Sequence, residues 1–491
     1  MAGKASTTLG PEGRASPIVL ALSPRAIAAG AITVAVVAGA LLARSPTLGL
    51  ALVAAIFFVP LALTNLPLAI ALWVPLIAVE QVRIAGSSPY LGTVVIVGAF
   101  LGDRLRHRGV SERASMTPGA WAWPLGGFLA WISLSSLWAK DAGVSLEVLR
   151  EYVAAVAVLA VLALSLARPR HIALVALAFV AGAVLSVLAG LAGLAAASTT
   201  ADAIDTATRS RISGGAGDPN ALAAMLVPAV AIAVGLLSYY RHPVLRLGLI
   251  AATLVMSYGF VLTQSRGGFL AALVAAALSL AMARRLAVLA SVVAVLAVAG
   301  AIFAMSPGAL GRVTNYDGGG TGRADLWTVA WRMAADHPLQ GVGVGNYVVR
   351  SREYVLQRPG ALEYSELIIA DKPLVAHNVY LQTLAEVGAV GLALLLAVLA
   401  SSLGAGLAAS RRFKRRHEPA MAALAQAVVV GTAGSLAASF FISNTTTKWL
   451  FALLALGPAL LIASAEPSAI IGPQRAPLGT AHPVAGPTSR P

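Results

Sequence analysis

HNVYLQTLAEVGAVGLALLLAVLASSLGAGLA, residues 377–408, decides how this chain is to be read. From Val387 to Ala408 it carries no charge, and a helix of that length crosses the ~30 Å hydrocarbon core of a bilayer. Its apolar residues do not alternate, which speaks for a helix and against a barrel strand. Four residues in it are not needed for spanning: His377 and Asn378 at the start, and Gly388 and Gly391 three apart.

The same texture extends over the whole chain. Of 491 residues 58% are hydrophobic and only 11% charged, with mean hydropathy +0.83, against about 25% charged in a soluble globular chain. Ala, Leu and Val dominate apolar runs from near residue 25 to residue 465. The expected fold is all-α, a polytopic membrane helix bundle. The first apolar run has no clear small-residue cleavage site and is expected to stay as a helix. The absence of cysteine excludes disulfides and thiolate metal sites. A net charge of +15 is divided among short loops, so the partner it implies is the bilayer, and nucleic acid is excluded.

Candidate helices fall at 25–43, 47–63, 66–82, 89–105, 121–138, 147–167, 171–197, 219–238, 244–263, 267–283, 286–305, 377–408, 420–442 and 447–464. Pro60 and Pro67 interrupt the second and third, which could form one re-entrant pair, so the count is about 12 to 14 transmembrane helices. Five basic groups then fall on one side: Arg104 to Arg113, Arg168 and Arg170, Arg241 and Arg246, Arg284 and Arg285, and Arg411 to Arg416. That side is expected to be the cytoplasm. The expected organisation is a cytoplasmic tail over 1–24, helices with short loops over 25–305, one large extracytoplasmic loop over 306–376, helices over 377–465, and a second tail over 466–491. The large loop contains GRADLWTVAWRMAADHPLQGVGVGNY, residues 322–347. Arg323, Trp327 and Trp331 recur there at helical spacing, as in a short amphipathic helix on a membrane surface.

The extracytoplasmic side gathers the residues that suit chemistry. On a continuous helix His377, Leu381, Leu384, Gly388 and Gly391 fall within about 80° of one face, with Glu386 opposite. The glycines would let a helix or lipid chain approach closely. A histidine at a helix start with ordinary glycine packing explains the spacing as well. Arg266 stands in TQSRGG, residues 263–268, a turn too short to carry it far from the membrane, where an arginine needs water, an anion or a carboxylate. Arg323 begins a helix, where a cation opposes the macrodipole. Arg211 precedes a helix start at Asp218-Pro219-Asn220. Singly, each has a plain reading as a solvated or snorkelling cation. Together, three arginines and a histidine on one face suit a dianion such as a lipid diphosphate. Asp317, Asp325, Asp336 and Asp371 show no paired spacing, so no metal site and no cofactor is expected.

His-Asn, nine residues, Gly-x-x-Gly resembles the signature of the O-antigen ligase/polymerase superfamily, matched by His377, Asn378, Gly388 and Gly391. RISGGAGDPNALA (211–223), TQSRGGFLA (263–271) and the 322–347 segment resemble its other recurring segments, in the same order, over residues 205–445. The resemblance implies a GT-C-like membrane glycosyltransferase of the bacterial inner membrane. Its donor is an undecaprenyl-diphosphate-linked glycan, and its acceptor a lipid A-core hydroxyl in ligases or another lipid-linked glycan in polymerases. It makes His377 a candidate general base, with Arg266 and Arg323 on the diphosphate. It gives Arg211, Asn378, Gly388, Gly391 and Trp327 substrate-binding places. A transporter is the remaining class. It would show internal repeats and polar residues near mid-membrane, and neither is evident. Ligase and polymerase bind the same donor and are not separated by these residues.

Overall fold

The computed structural model describes residues 44, 46–82, 88–106, 119–194, 211–282, 323–357, 374–443 and 445–465. The chain divides into two compact units, residues 1–58 and 59–491. Of the first, the described part is residue 44 and the opening of α1 (Pro46–Thr64). The second contains α2 (Leu66–Ile77), α3 (Ser88–Arg106), α4 (Ala122–Ser135), α5 (Ala142–Ser165), α6 (Pro169–Leu191), α7 (Pro219–Tyr239), α8 (Pro243–Leu262), α9 (Arg266–Met282), α10 (Arg323–Asp336), α11 (Asn346–Leu356), α12 (Val379–Arg415), α13 (Pro419–Ala438) and α14 (Lys448–Ala463). Helices α5, α6, α7, α8, α12 and α13 are long and apolar enough to cross a membrane, and α2, α9 and α14 are shorter apolar helices. The chain is all-α and polytopic. The expected spans 25–43 and 286–305, and both expected tails, lie outside the described residues.

Short connections make successive helices antiparallel. Proline opens α6, α7, α8 and α13, where its missing N–H costs nothing. Asp141 caps α5 and Asp218 caps α7, each accepting from backbone amides of the first turn. The core centres on α7 and α13, which meet where Gly431 lies against the backbone of Pro228. The Ser402 hydroxyl on α12 donates to the Leu454 carbonyl of α14 at 2.6 Å.

Two expectations need correction. The helix expected from 377 starts at Val379, with Asn378 as its cap and His377 outside it, and it is broken at Gly388 (φ 69°, ψ −173°). The face calculated for a continuous helix therefore does not exist. Nor does α10 rest on its tryptophan stripe. It buries Leu326, Val329, Ala330 and Met333 against Tyr347 and Tyr354 of α11 and Ala385 of α12, a small second core beside the bundle. Trp327 turns inward, while Trp331 is 63% exposed.

Candidate functional site

The break in α12 is filled by the loop between α10 and α11. Interrupting a helix leaves carbonyls without their usual amide partners, and here each finds another. Ala385 O accepts from Val342 N at 2.9 Å, and Glu386 O accepts from Gly343 N at 2.8 Å. Val387 O accepts from the Trp131 indole at 2.8 Å. Beyond the break, Ala389 N donates to Pro338 O at 2.8 Å. The approach is so close that a Cβ on Gly388 would overlap the backbone of Leu339 and Gln340, and one on Gly341 would overlap Glu386. Glu386 is 5% exposed; its Oε2 accepts from Gly345 N at 2.9 Å and its Oε1 from the Gln382 amide at 3.1 Å. On the far side Asn346, wholly buried, exchanges hydrogen bonds with the backbone of Asp141 and donates to Ser145 Oγ. The loop is thus clasped between α12 and the α4–α5 connection.

This clasp positions what lies above it. The Asn378 side chain accepts from Tyr380 N and Leu381 N, both at 3.0 Å, starting α12 immediately after His377. His377 is half-buried and takes a left-handed backbone (φ 50°), uncommon for a non-glycine residue and worth notice at a site. Val379 N donates to Ser439 O at 2.9 Å, joining this corner to the end of α13. On α10, one turn after Arg323, the Trp327 indole donates to Ala376 O at 3.1 Å, the residue before His377. The Trp327 ring lies 6.4 Å from that of Phe441. Gly267, next to Arg266, lies against the same Phe441 side chain. The elements bearing Arg266, Arg323 and His377 therefore converge around Phe441. Arg266 is exposed, and Arg323 is partly exposed.

Residues 251–396 match the family described as O-antigen ligase. This matched domain supports the resemblance to the O-antigen ligase/polymerase superfamily. No curated protein matches the chain. The domain runs from α8 through the break in α12, so it holds Arg266, Arg323, Trp327, His377, Asn378, Gly388 and Gly391. It is shorter than the 205–445 stretch over which the motifs bear resemblance, and Arg211 falls outside it.

The structure gives several expected binding residues of the matched domain and its flank a structural task. Arg211 Nε donates to Thr263 O at 2.7 Å and its Nη2 to Asn220 Oδ1 at 3.1 Å. Asn220 Oδ1 also accepts from Ser265 Oγ, which in turn accepts from Gly268 N. Arg211 thus braces the turn that presents Arg266. Gly388 faces the Leu339–Gln340 backbone, and Gly391 faces Val387 and Trp131. Neither thins a surface for a lipid chain, which corrects the expectation from spacing. Glu386, set opposite the site on the continuous helix, is the residue that spacing missed. The signal was present: a lone carboxylate in an apolar helix needs a partner. Outside the spanning helices, burial and then the Glu386 carboxylate push the Tyr347 phenol above its ordinary range; its hydroxyl donates to Leu326 O at 2.8 Å. Lys140, which hydrogen-bonds Glu353, and then Arg350 hold the Glu353 carboxyl below the usual carboxylate range.

Proposed function

We propose that this protein is a membrane glycosyltransferase of the O-antigen ligase type, working at the extracytoplasmic face of a bacterial inner membrane. It transfers an undecaprenyl-diphosphate-linked glycan to a lipid A-core or other surface hydroxyl, with inversion and without a metal ion. The observation that supports this is the convergence around Phe441 of the elements bearing Arg266, Arg323 and His377, three residues that fall within the matched domain. Guanidinium groups at Arg266 and Arg323 suit a diphosphate and oppose the charge that grows on it as it leaves. The acceptor oxygen forms its bond to the anomeric carbon as the bond from that carbon to the diphosphate oxygen breaks. The hydroxyl proton passes to the His377 imidazole, the side-chain type that most often serves as a general base. The electron pair of the broken bond stays on the diphosphate.

The test is single-turnover transfer by purified protein in nanodiscs, with donor and acceptor glycolipids extracted from a strain lacking the gene. His377→Ala is expected to lose about 10²–10⁴-fold in rate, the usual range for a general base, while donor affinity survives. Arg266→Ala and Arg323→Ala are expected to lose donor affinity as well, with lysine a partial replacement because it keeps charge but not the planar fork. Activity persisting in His377→Ala would remove the base assignment, and strict Mg²⁺ dependence would remove the arginine mechanism. The glycolipid made by the wild type separates a ligase product on lipid A-core from a lengthened lipid-linked glycan.

A further inference from the structure

A second polar wall stands at the same end of the bundle as His377. Glu147, Arg150 and Glu151 occupy the second and third turns of α5, and all three are exposed, whereas the rest of this helix carries no charge. Ionisable groups on a spanning helix are rare and face water or a polar partner. Neighbouring elements meet them. Thr446 Oγ1 donates to Glu151 Oε2 at 2.7 Å. The Arg150 guanidinium lies over the Tyr90 ring, 5.7 Å from its centroid, and Tyr90 is 39% exposed. Lys448 at the head of α14 pairs with Glu80, just after α2.

This wall adjoins the site. Tyr152 directly follows Glu151 on α5. Tyr152 and Thr445 line one apolar pocket with Phe128, Leu450, Val379 and Tyr380. Val379 and Tyr380 directly follow His377-Asn378, so the helix that carries the α5 wall and the start of α12 line one pocket. The two sides differ in charge. Arg266 and Arg323 stand towards α9 and α10, and they suit a diphosphate. The α5 wall sets Glu80, Glu147 and Glu151 against Arg150 and Lys448. Carboxylates repel a diphosphate and accept hydrogen bonds from hydroxyls. An exposed tyrosine ring beside them offers an apolar face with a polar tip.

We propose that Tyr90, Glu147, Arg150 and Glu151 form the acceptor-glycan site, taking a hydroxyl-rich sugar without phosphate. It presents the acceptor to His377 from the α5–α14 side, while the arginines hold the donor from the α9–α10 side. The proposal rests on the glycosyl-transfer reading above.

The experiment uses the full chain in nanodiscs, with both glycolipids extracted from a strain lacking the gene, and the double variant Tyr90→Leu/Glu151→Gln. The acceptor KM is expected to rise about tenfold, with donor affinity and thermal midpoint unchanged. An unchanged acceptor KM, or donor affinity falling in parallel, would overturn the proposal. Should the wild type bind donor and transfer nothing, the glycosyl-transfer reading fails, and direct binding of the extracted acceptor decides this site separately. Equal acceptor affinity in wild type and variant would then overturn it, and weaker affinity in the variant would uphold it. Glu147→Gln provides a second variant in case the double substitution does not fold.

Discussion

Where α7 meets α13, small apolar residues lie side by side: Ala229, Ile232 and Ala233 are fully or almost fully buried, as are Ala425 and Val428. Where α12 meets the 337–345 loop, the contact is made of backbone hydrogen bonds to carbonyls that a broken helix has set free. The first contact is non-directional, and such cores absorb a change of about one methylene at modest cost. The second is directional, and a misplaced atom leaves buried amides or carbonyls unpaired. The bundle decides which helices are neighbours. The clasp decides where Ala376, His377 and α10 stand relative to one another, and so it holds the candidate site to closer tolerances than the helices do.

The comparison breaks most sharply at Gly388. Its φ and ψ fall in a region open essentially to glycine alone, and a side chain there costs about 1–3 kcal/mol in backbone strain before its clash with Leu339. Gly388→Leu is expected to abolish transfer and to open the α10–α11 segment to limited proteolysis. A variant that resists the protease like the wild type would show that the clasp tolerates a closed helix. Next in size, Glu386→Ala leaves the part-buried Gly345 amide without its acceptor, a penalty towards the lower end of about 1–3 kcal/mol that lowers the thermal midpoint. Glu386→Gln keeps an acceptor oxygen and is expected to recover much of the loss; equal midpoints for the two would deny the carboxylate its role.

Smaller still is Trp131→Phe, which keeps a ring but removes the donor to Val387 O. One neutral hydrogen bond is worth about 0.5–1.5 kcal/mol net, and the loss is to be read by denaturation beside a Trp123→Phe control, since Trp123 is 80% exposed. The least effect concerns pH. With its carboxyl held low by Lys140 and Arg350, Glu353 stabilises the junction of α11 with the α4–α5 connection above its unfolded value of about 4.3. That contribution is lost as pH falls through the depressed folded value. The side chain is 38% exposed, so the change is small and screened by salt. Glu353→Gln should flatten the stability profile between pH 5 and pH 3, taken as approximate limits around the reference value. A profile identical to the wild type would show that the pair contributes nothing.

Much of this was legible because membrane spans are written in composition. An apolar run must close its own backbone hydrogen bonds, so a helix is dictated before any partner is known. Asp218-Pro219-Asn220 marked the start of α7, and the helix beginning at Arg323 was evident from spacing. The break at Gly388 was not legible, because a helical wheel assumes the continuity it is used to test. The alternate glycines 341, 343 and 345 stood in plain view, yet their left-handed backbones serve a partner more than forty residues away. Asn378 and Arg211 were read for their chemistry, whereas Asn378 caps the Tyr380 and Leu381 amides and Arg211 holds the Thr263 carbonyl. Sequence spacing sees which residues share an element. It does not see which element a neighbouring loop will enter.

The Trp131, Val342, Gly343 and Gly345 donors all wait for residues 385–387, which are made after them. Synthesis runs from the N-terminus, and segments fold as they emerge. The Val342, Gly343 and Gly345 amides are therefore translated uncommitted, and their acceptors arrive only when the opening turns of α12 leave the ribosome. Assembly of the His377 corner is thus among the later events in the birth of the chain. A translocation defect confined to α12 would leave a bundle with most of its helices in place and no His377 corner, a product that membrane-insertion assays on the earlier helices would count as complete.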